Sequence, residues 1–365
     1  MKFTLNQREL VSALTIVSKA TNFKTTMEIL KGIHIEAKKD YLIMKSHDLS
    51  LSIIMEVPAF VEREGKVLLD SSLFNDIIRK LPDQSITMEV SGDSMEILCD
   101  QSKYRLSIMD EENYPQIPRI DEGKIIKIRQ DDFSELVKMT NFAVGQDETR
   151  PILTGSLVQV EGNTMKMVSV DGFTIAIKTV DIIEGEDCSV VIPGKNLNEI
   201  QKIISSGDES MDILIGTNHV VFYFDGITII SKILEGSFIN YERVTDTGFD
   251  TEIEIPTREF YQALDRVALL ANRSRSYIVN FEFGERSVDI SNNSTLGLAK
   301  ETVAINNKGE NIKISFNPNY LLRAIRALDD DSLVFALGGP HKPGKITKRD
   351  SDDYEYYVVP VRTAQ

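Results

Sequence analysis

Residues that could carry out acid–base, nucleophilic or metal chemistry are few and scattered in this sequence. The patterns HExxH, CxxC, GxSxG and the phosphate-binding loop do not occur, and none of the four histidines has a neighbour at metal-ligand spacing. The two cysteines, Cys99 and Cys188, lie far apart, which favours packing roles over a metal pair. The acidic runs 329–331 and 350–353 could suggest Mg²⁺, but a metal site needs convergent ligands, so we predict solvated turns. These observations predict no catalytic centre, no metal and no cofactor, and they favour a binding or scaffolding role.

The elements that must position the polar residues form a pattern that occurs three times. A short alternating strand followed by an amphipathic helix begins at Phe3, and the same pattern begins again at Ile126 and at Ile253. The two spacings are 123 and 127 residues. A chance similarity of helical patterns is the alternative interpretation, and further landmarks at the same spacing argue against it.

Those further landmarks are a second strand–helix pair and a turn between strands. The second pair is marked by Leu69, Ile192 and Phe316, at spacings of 123 and 124 residues. The turn is marked by Asp48, Asp171 and Ser294, at a spacing of 123 residues both times. The predicted helices cover 7–20, 72–81, 130–144, 195–205, 257–271 and 319–328.

The chain length and two turn-rich stretches indicate three domains. A single hydrophobic core stops growing at roughly 250–300 residues, and this chain has 365. Stretches rich in proline, glycine and polar residues precede positions 123 and 251. We therefore predict an α+β fold with domains at 1–122, 123–250 and 251–365, each with two helices and about eight strands in antiparallel sheets.

The distribution of charge distinguishes the helices from the rest of the chain. The formal net charge of −15 argues against nucleic acid, because DNA-binding proteins usually have a basic surface. The six predicted helices together are nevertheless slightly basic, so the remaining residues are more acidic still. Lys195 and Lys202 share a helix face, as do Arg323 and Arg326. A solvated helix face is the simpler explanation for any one helix, and the acidic helix 130–144 weakens the case for a basic surface.

The sequence does not indicate a membrane protein. It has no run of about 18 apolar residues, and its N-terminus lacks the apolar core of a signal peptide. We therefore expect the protein in the cytoplasm.

Five segments in order resemble motifs of the bacterial DNA polymerase III beta subunit family, the sliding clamps. They are DETRPILTG (147–155), VDGFTIA (170–176), SKILEGSFINYERV (231–244), FNPNYLL (316–322) and YVVPVR (357–362). The resemblance covers essentially the whole chain. It implies three DNA-clamp domains, a head-to-tail homodimeric ring around duplex DNA, and partners that include the replicative polymerase, the clamp loader and other proteins with a short clamp-binding peptide.

The resemblance also implies two sets of functional residues. Those of the partner-peptide groove are Arg150, Leu153, Gly172, Phe173, Ile175, Arg243, Val244, Asn317, Tyr320, Val359, Pro360, Val361 and Arg362. Those expected to contact DNA are Lys24, Arg79, Lys80, Lys195 and Lys202.

The sequence departs from the family pattern at three places. Thr174 stands where the family often has arginine, Ile239 stands where it often has proline, and 363–365 extend past the usual end. Groove depth and peptide preference are therefore not predicted. Two alternatives remain open at this point: a ring or arc scaffold that binds peptides but not DNA, and an enzyme of unknown class.

Overall fold

The order strand, helix, five strands, helix, three strands occurs three times along the chain. The structure is a computed structural model that describes residues 1–22, 24–204, 207–246 and 248–362. In these residues each repeat has nine strands, one more than we predicted. The additional strand is short and precedes the strand that leads into the second helix of each repeat. The predicted extension 363–365 lies outside the described residues.

Six of the seven α-helices in the described residues agree with the predicted positions and differ at their ends, whereas one short helix, Glu242–Thr245, was not predicted. The seven are α1 (Gln7–Val17), α2 (Ser71–Lys80), α3 (Gln130–Thr140), α4 (Gly194–Gln201), α5 (Glu242–Thr245), α6 (Thr257–Arg273) and α7 (Pro318–Ala327). A 3₁₀ turn follows α1 and α3, which accounts for the longer helices predicted there. Helix α4 ends at Gln201 rather than at 205, and residue 205 lies outside the described residues. No helix in the described ranges is long and apolar enough to cross a membrane.

The strands of the first repeat are β1 (Lys2–Asn6), β2 (Gly32–Lys38), β3 (Tyr41–His47), β4 (Leu51–Pro58), β5 (Phe60–Arg63), β6 (Gly65–Asp70), β7 (Ser85–Ser91), β8 (Ser94–Cys99) and β9 (Ser102–Ser107). Those of the second are β10 (Lys124–Arg129), β11 (Gly155–Glu161), β12 (Thr164–Val170), β13 (Thr174–Asp181), β14 (Glu184–Gly185), β15 (Cys188–Pro193), β16 (Ser210–Ile215), β17 (His219–Phe224) and β18 (Ile227–Lys232). Those of the third are β19 (Thr251–Pro256), β20 (Val279–Phe283), β21 (Ser287–Ser294), β22 (Gly297–Ala304), β23 (Asn306–Asn307), β24 (Ile312–Phe316), β25 (Ser332–Leu337), β26 (Gly344–Lys348) and β27 (Tyr354–Val358).

The chain folds into two compact units, and each contains a sheet that joins two repeats. One unit comprises Met1–Gln130 and Lys202–Ile233. Its sheet β5-β1-β7-β8-β9 belongs to the first repeat alone. In its other sheet, β18 of the second repeat pairs with β4 of the first, with Ile229 opposite Ile53. The segment 110–123 connects β9 of the first repeat to β10 of the second. We call the shared sheet together with this segment the first junction.

The other unit comprises Asp131–Gln201 and Leu234–Gln365 and repeats that arrangement. Here β27 of the third repeat pairs with β13 of the second, with Tyr356 opposite Ala176. The sheet β22-β21-β20-β24 belongs to the third repeat alone. We call the shared sheet of this unit, with the segment 234–250, the second junction.

Local sequence signals explain why the repeated elements begin where they do. Asn6, Asp70 and Asn317 each precede a helix and accept a hydrogen bond from a backbone N–H of its first turn. The carboxylates of Asp48 and Asp171 accept backbone N–H groups of the turns that follow β3 and β12. The helices then bury one apolar face, as Leu10, Leu14 and Val17 do in α1. The repeat inferred from spacing is therefore a structural repeat.

Acidic helix α3, which fitted poorly with a basic surface, carries a carboxylate that belongs to an ion cluster around a buried lysine. Glu135 lies 2.8 Å from the ammonium of Lys178 and 3.3 Å from that of Lys348. Asp353 also pairs with Lys178, which is 1% exposed. The prediction of solvated turns holds in part for Asp353, which lies in the loop before β27 with a side chain that is 35% exposed and which also compensates a buried lysine. It agrees with Asp350, whose side chain is 93% exposed.

Candidate functional site

The second junction contains an apolar cluster that includes two of the predicted groove residues. Leu153 lies in a 3₁₀ turn that begins at Pro151, and Ile175 lies near the start of β13. Both are buried and pack in one cluster with Val170, Tyr241 and Tyr357. Ile175 is placed opposite Tyr357 by the β13–β27 ladder. The side chains of Leu153 and Ile175 therefore form part of an apolar floor.

The turn between β12 and β13 presents a phenylalanine to solvent at the edge of this floor. The Asp171 carboxylate accepts hydrogen bonds from the backbone N–H groups of Phe173 and Thr174, at 2.9 and 2.8 Å, and from the Thr174 hydroxyl at 3.0 Å. Gly172 has φ of +91°, a conformation that favours glycine. Thr174, where the family often has arginine, is thus a buried part of the turn.

Phe173 forms a stacked aromatic pair with Tyr320 of α7. The ring centroids are 5.8 Å apart and the planes differ by 17°. Phe173 remains 55% exposed, so one side of the pair is open to solvent. The backbone N–H of Val359 donates to the Phe173 carbonyl at 3.0 Å. A backbone hydrogen bond therefore links Val359 to the stacked pair. We call the pair of Phe173 and Tyr320 the aromatic shelf.

Two residues that sequence reasoning did not assign to the groove hold the aromatic shelf in place. The Arg323 guanidinium lies over the Tyr320 ring, 5.0 Å from its centroid, and 3.5 Å from the Asp171 carboxylate. It also donates to the Phe142 carbonyl at 3.1 Å. Burial raises the pKa of the Tyr320 hydroxyl, and the nearby Asp171 carboxylate raises it further. Arg323, which the sequence places on one helix face with Arg326, is therefore engaged by Asp171 and the aromatic shelf.

The remaining predicted groove residues are not all brought together. The Asn317 side chain caps α7 by accepting the Asn319 N–H at 3.0 Å. Arg243 and Val244 lie on the exposed helix α5, and Arg243 lines a depression with Lys345 and Glu355. Val361 and Arg362 line another depression, and Val361 donates its N–H to the Ser315 carbonyl at 2.7 Å. Arg150 is exposed at the start of the 3₁₀ turn, and Pro360 is half-buried.

The five residues predicted to contact DNA are all exposed. Arg79 and Lys80 lie in the last turn of α2, where basic side chains also complement the helix dipole. Arg79 donates to the Thr15 hydroxyl of α1 at 3.3 Å. Lys24 lies in a turn, Lys195 in α4, and Lys202 directly after α4. Within the described ranges, no group of three or more His, Cys, Asp or Glu side chains could hold a metal ion.

Three α+β repeats joined through shared sheets define the DNA-clamp fold, and comparisons with known proteins agree. The family models of the DNA polymerase III beta subunit match at residues 1–118 for the N-terminal domain, 127–240 for the central domain and 242–362 for the C-terminal domain. The beta sliding clamp of Staphylococcus epidermidis is 32% identical, with 100% of each chain covered.

Solved structures give the same result. The DNA polymerase sliding clamp from Bacillus subtilis is 31% identical with a TM-score of 0.95, and 100% of each chain is covered. A putative DNA polymerase III beta subunit from Eubacterium rectale is 29% identical with a TM-score of 0.93, also over 100% of each chain. The chain belongs to the DNA polymerase III beta subunit family. It is a DNA sliding clamp, a non-catalytic processivity subunit that binds DNA and polymerase.

Proposed function

We propose that two copies of this chain close head to tail into a ring around duplex DNA, and that the second junction holds partner proteins by a short peptide. The partners are the replicative polymerase, the clamp loader and other proteins with such a peptide. The observation that carries the proposal is that β9 and β22, which correspond to the two strands that pair in each internal junction, are both edge strands in the described sheets. The domains 1–122, 123–250 and 251–365 are the units of the proposed ring.

The edge strands support closure between copies. In both internal junctions, the last strand of one repeat pairs with the fourth strand of the preceding repeat, as β18 pairs with β4 and β27 with β13. The last strand of the first repeat, β9, and the fourth strand of the third repeat, β22, are edge strands in the described sheets. An exposed edge is a template for pairing with another chain. Pairing β9 with β22 of a second copy completes a third junction, and a head-to-tail contact that closes forms a ring.

Exposed apolar side chains on these edges support the same contact. Leu298 of β22 is 70% exposed, and Leu296 just before the strand is 58% exposed. Tyr104 of β9 is 41% exposed. Isolated exposed apolar residues are ordinary, but a group on an open sheet edge is typical of an interface.

The second junction has the chemistry of a peptide groove. Its apolar floor contains Leu153 and Ile175, and the aromatic shelf stands above an open surface. Transfer of an apolar or aromatic peptide side chain from water to such a surface lowers the free energy of the complex. Exposed Arg150, Arg243 and Arg362 supply cations for peptide carboxylates, and Val244, Val359, Pro360 and Val361 supply further apolar surface. Gly172 gives the shelf turn its shape, and Asn317 supports the groove by capping α7.

DNA contacts through Lys24, Arg79, Lys80, Lys195 and Lys202 would be to phosphates, because lysine and arginine on exposed surfaces reach the backbone without reading bases. Such binding is independent of sequence and weakens with salt. With a chain of net charge −15, we expect these contacts to be weak and retention on DNA to be topological.

The test is retention on circular and linear DNA. The clamp is loaded with a clamp loader onto a nicked circular plasmid, and the complex is separated by gel filtration before and after a single restriction cut. We expect retention on the circle and loss after linearisation. Equal retention on both forms contradicts encirclement, and no retention on either form favours a peptide-binding scaffold that does not enclose DNA.

A further inference from the structure

The contact between copies that closes the proposed ring has a defined register, because the two internal junctions show which strand positions pair. In the first junction, Thr228 of β18 stands opposite Ile54 of β4. In the second junction, Glu355 of β27 stands opposite Ile177 of β13. The ladders within each repeat identify the residues of β9 and β22 that hold the same two positions at the open edges.

Lys103 is the residue of β9 that corresponds to Thr228 and Glu355. It stands opposite Leu98 in the β8–β9 ladder, and the other two residues hold the same place in the ladders β17–β18 and β26–β27. The open edge of the first repeat therefore has a cation where the internal junctions have a neutral or an acidic side chain.

Lys300 is the residue of β22 that corresponds to Ile54 and Ile177. It stands opposite Ser291 in the β21–β22 ladder, and the two isoleucines hold the same place in the ladders β3–β4 and β12–β13. Pairing of β9 with β22 in the register of the internal junctions therefore places Lys103 opposite Lys300 of a second copy.

Like charges directly opposite each other in a sheet are destabilising, because their Cβ atoms are only about 4.5–5.5 Å apart. Each lysine has a carboxylate partner in its own copy, since Lys103 lies 3.1 Å from Glu96 and Lys300 lies 2.8 Å from Asp289. Glu96 also pairs with Arg105, so this carboxylate serves two cations. Three cations and two carboxylates meet at the contact, and one positive charge among them has no counterpart.

The acidic neighbour Glu301 does not supply that counterpart. Successive residues of a strand point to opposite faces of the sheet, so Glu301 and Lys300 lie on different faces. The Glu301 carboxylate is held by Arg266 of α6 at 2.7 Å.

We infer that repulsion between Lys103 and Lys300 of a second copy weakens the contact between copies, so that charge at this one residue pair sets how readily the two copies separate. The inference rests on the ring proposed above. None of the residue pairs along the two internal junctions joins like charges, so the contact between copies differs from them in this respect.

The test is a cycle of charge reversals, read by the exchange of chains between dimers. Unlabelled dimers are mixed with ¹⁵N-labelled dimers, and mixed dimers are counted over time by native mass spectrometry, which follows dissociation at any affinity. Lys103 and Lys300 are each 57% exposed in a single copy, so their replacement leaves the fold intact.

Lys300→Glu turns the repulsion into attraction and should slow exchange by about tenfold. Roughly threefold is gained at each contact, and a head-to-tail dimer has two contacts. Lys103→Glu should slow exchange in the same way. The double variant again places like charges opposite each other and should exchange at least as fast as the original chain.

The matched control is Lys313→Glu, which reverses the same charge on β24 at the other edge of the sheet, on a lysine that pairs with Glu282 at 2.9 Å. Its exchange should equal that of the original chain. Raising the salt concentration from about 50 to about 500 mM should reduce the difference between the original chain and Lys300→Glu, because salt screens exposed charges.

Two kinds of result overturn the inference, and they are distinguishable. Dimers that form in every variant, but in which the two reversals slow exchange additively or not at all, contradict the repulsion and leave the ring intact. Monomers alone at every concentration, in the original chain and in all variants, contradict the ring itself.

Discussion

Lys178 of β13 is buried against Asp353, which directly precedes β27, so an ion pair joins the second and third repeats beside the sheet that they share. Glu135 of α3 and Lys348 of β26 complete the cluster. Four residues from four segments thus balance two cations with two carboxylates. The cluster compensates one negative charge of the acidic helix and adds an ion pair between the second and third repeats.

We predict that Lys178→Met destabilises the chain at neutral pH. Removal of one partner leaves Glu135 and Asp353 with Lys348 alone, and breaking a buried ion pair costs roughly 3–5 kcal/mol. We expect a smaller loss of about 2 kcal/mol, because the substitution removes the buried charge itself and solvent screens the remaining carboxylates, which are 39% and 35% exposed. The free energy of unfolding measured in urea checks this. Lys300→Met, at a lysine 57% exposed and paired with Asp289, should change it by about 1 kcal/mol or less.

The effect of Lys178→Met should depend on pH. Burial by itself raises the pKa of Glu135 and of Asp353, but Lys178 lowers both below their ordinary values of 4.5 and 3.8. A carboxylate with a lowered folded pKa stabilises above its unfolded pKa and loses that contribution as pH falls through the folded value. The stability difference between the original chain and the variant should therefore be full at pH 6–7 and shrink below about pH 4. A difference that stays constant down to pH 3 contradicts this assignment.

The aromatic shelf gives a prediction for partner binding. Phe173→Ala removes the exposed ring that stacks on Tyr320, while the fold loses little because the ring is 55% exposed. An aromatic contact of about 1.4 kcal/mol corresponds to a tenfold change in affinity. We expect a polymerase-derived clamp-binding peptide to bind about tenfold more weakly in a fluorescence titration. Phe60→Ala, at a phenylalanine that is 70% exposed in the other unit, is the control and should leave the affinity unchanged.

The conformation of Gly172 gives a separate prediction about the same turn. Nothing lies within 4 Å of an added Cβ, so Gly172→Ala meets no steric clash with its surroundings. The φ of +91° nevertheless disfavours alanine, by about 1–2 kcal/mol. We expect a lowered unfolding midpoint together with weaker peptide binding, since the turn carries Phe173. Gly162→Ala, in a turn with φ of +58° and equally open space, should lower stability but leave peptide affinity intact.

The repeat could be predicted from sequence because it depends on local periodicity. The apolar faces of the helices, the caps at Asp70 and Asn317, and the turn at Asp171 all have signals within a few residues. The proline after Asn317 favours a cap, so its structural role was also available from the sequence.

The ion cluster and the support of the aromatic shelf could not be predicted in the same way. Lys178 lies in a strand buried on both faces, where alternation does not show which lysine is enclosed. Its partner Asp353 is 175 residues away, in a run that reads as solvated from its composition. Asp171 and Arg323 likewise come from different repeats and meet only through tertiary structure. Long-range pairing of charges leaves no periodic signal in the sequence.

The basic residues proposed to contact DNA give a prediction about salt. Arg79→Ala combined with Lys80→Ala removes two exposed cations from the end of α2. Each lost phosphate contact should reduce the slope of log affinity against log salt by about 0.9, without a change in base preference. The check is equilibrium binding to duplex DNA between 20 and 200 mM salt. Lys308→Ala, at an exposed lysine of the third repeat, is the control, and an equal change of slope in this variant contradicts the assignment.

The proposed ring gives a prediction of register at the contact between copies. Tyr104 stands opposite Ile97 in the first repeat, as Ile229 stands opposite Phe222 and Tyr356 opposite Ile346 in the others. Across the internal junctions, Ile229 pairs with Ile53 and Tyr356 pairs with Ala176. The residue of the third repeat that corresponds to Ile53 and Ala176 is Ala299 of β22. Tyr104 should therefore pair with Ala299 of a second copy.

Cysteines placed at these two positions should therefore form a disulfide between copies. Residues directly opposite in antiparallel strands have Cβ atoms about 4.5–5.5 Å apart, which is near the distance that a disulfide requires. In a chain with Cys99→Ser and Cys188→Ser, we expect Tyr104→Cys with Ala299→Cys to give a covalent dimer on oxidation, seen by non-reducing electrophoresis. Tyr104→Cys with Ala304→Cys moves the second thiol five residues along β22, about 16 Å, and should stay monomeric in the gel. Equal yields from both pairs, or dimer from neither, contradict the proposed register, because the strand ladder allows a single pairing partner for each position.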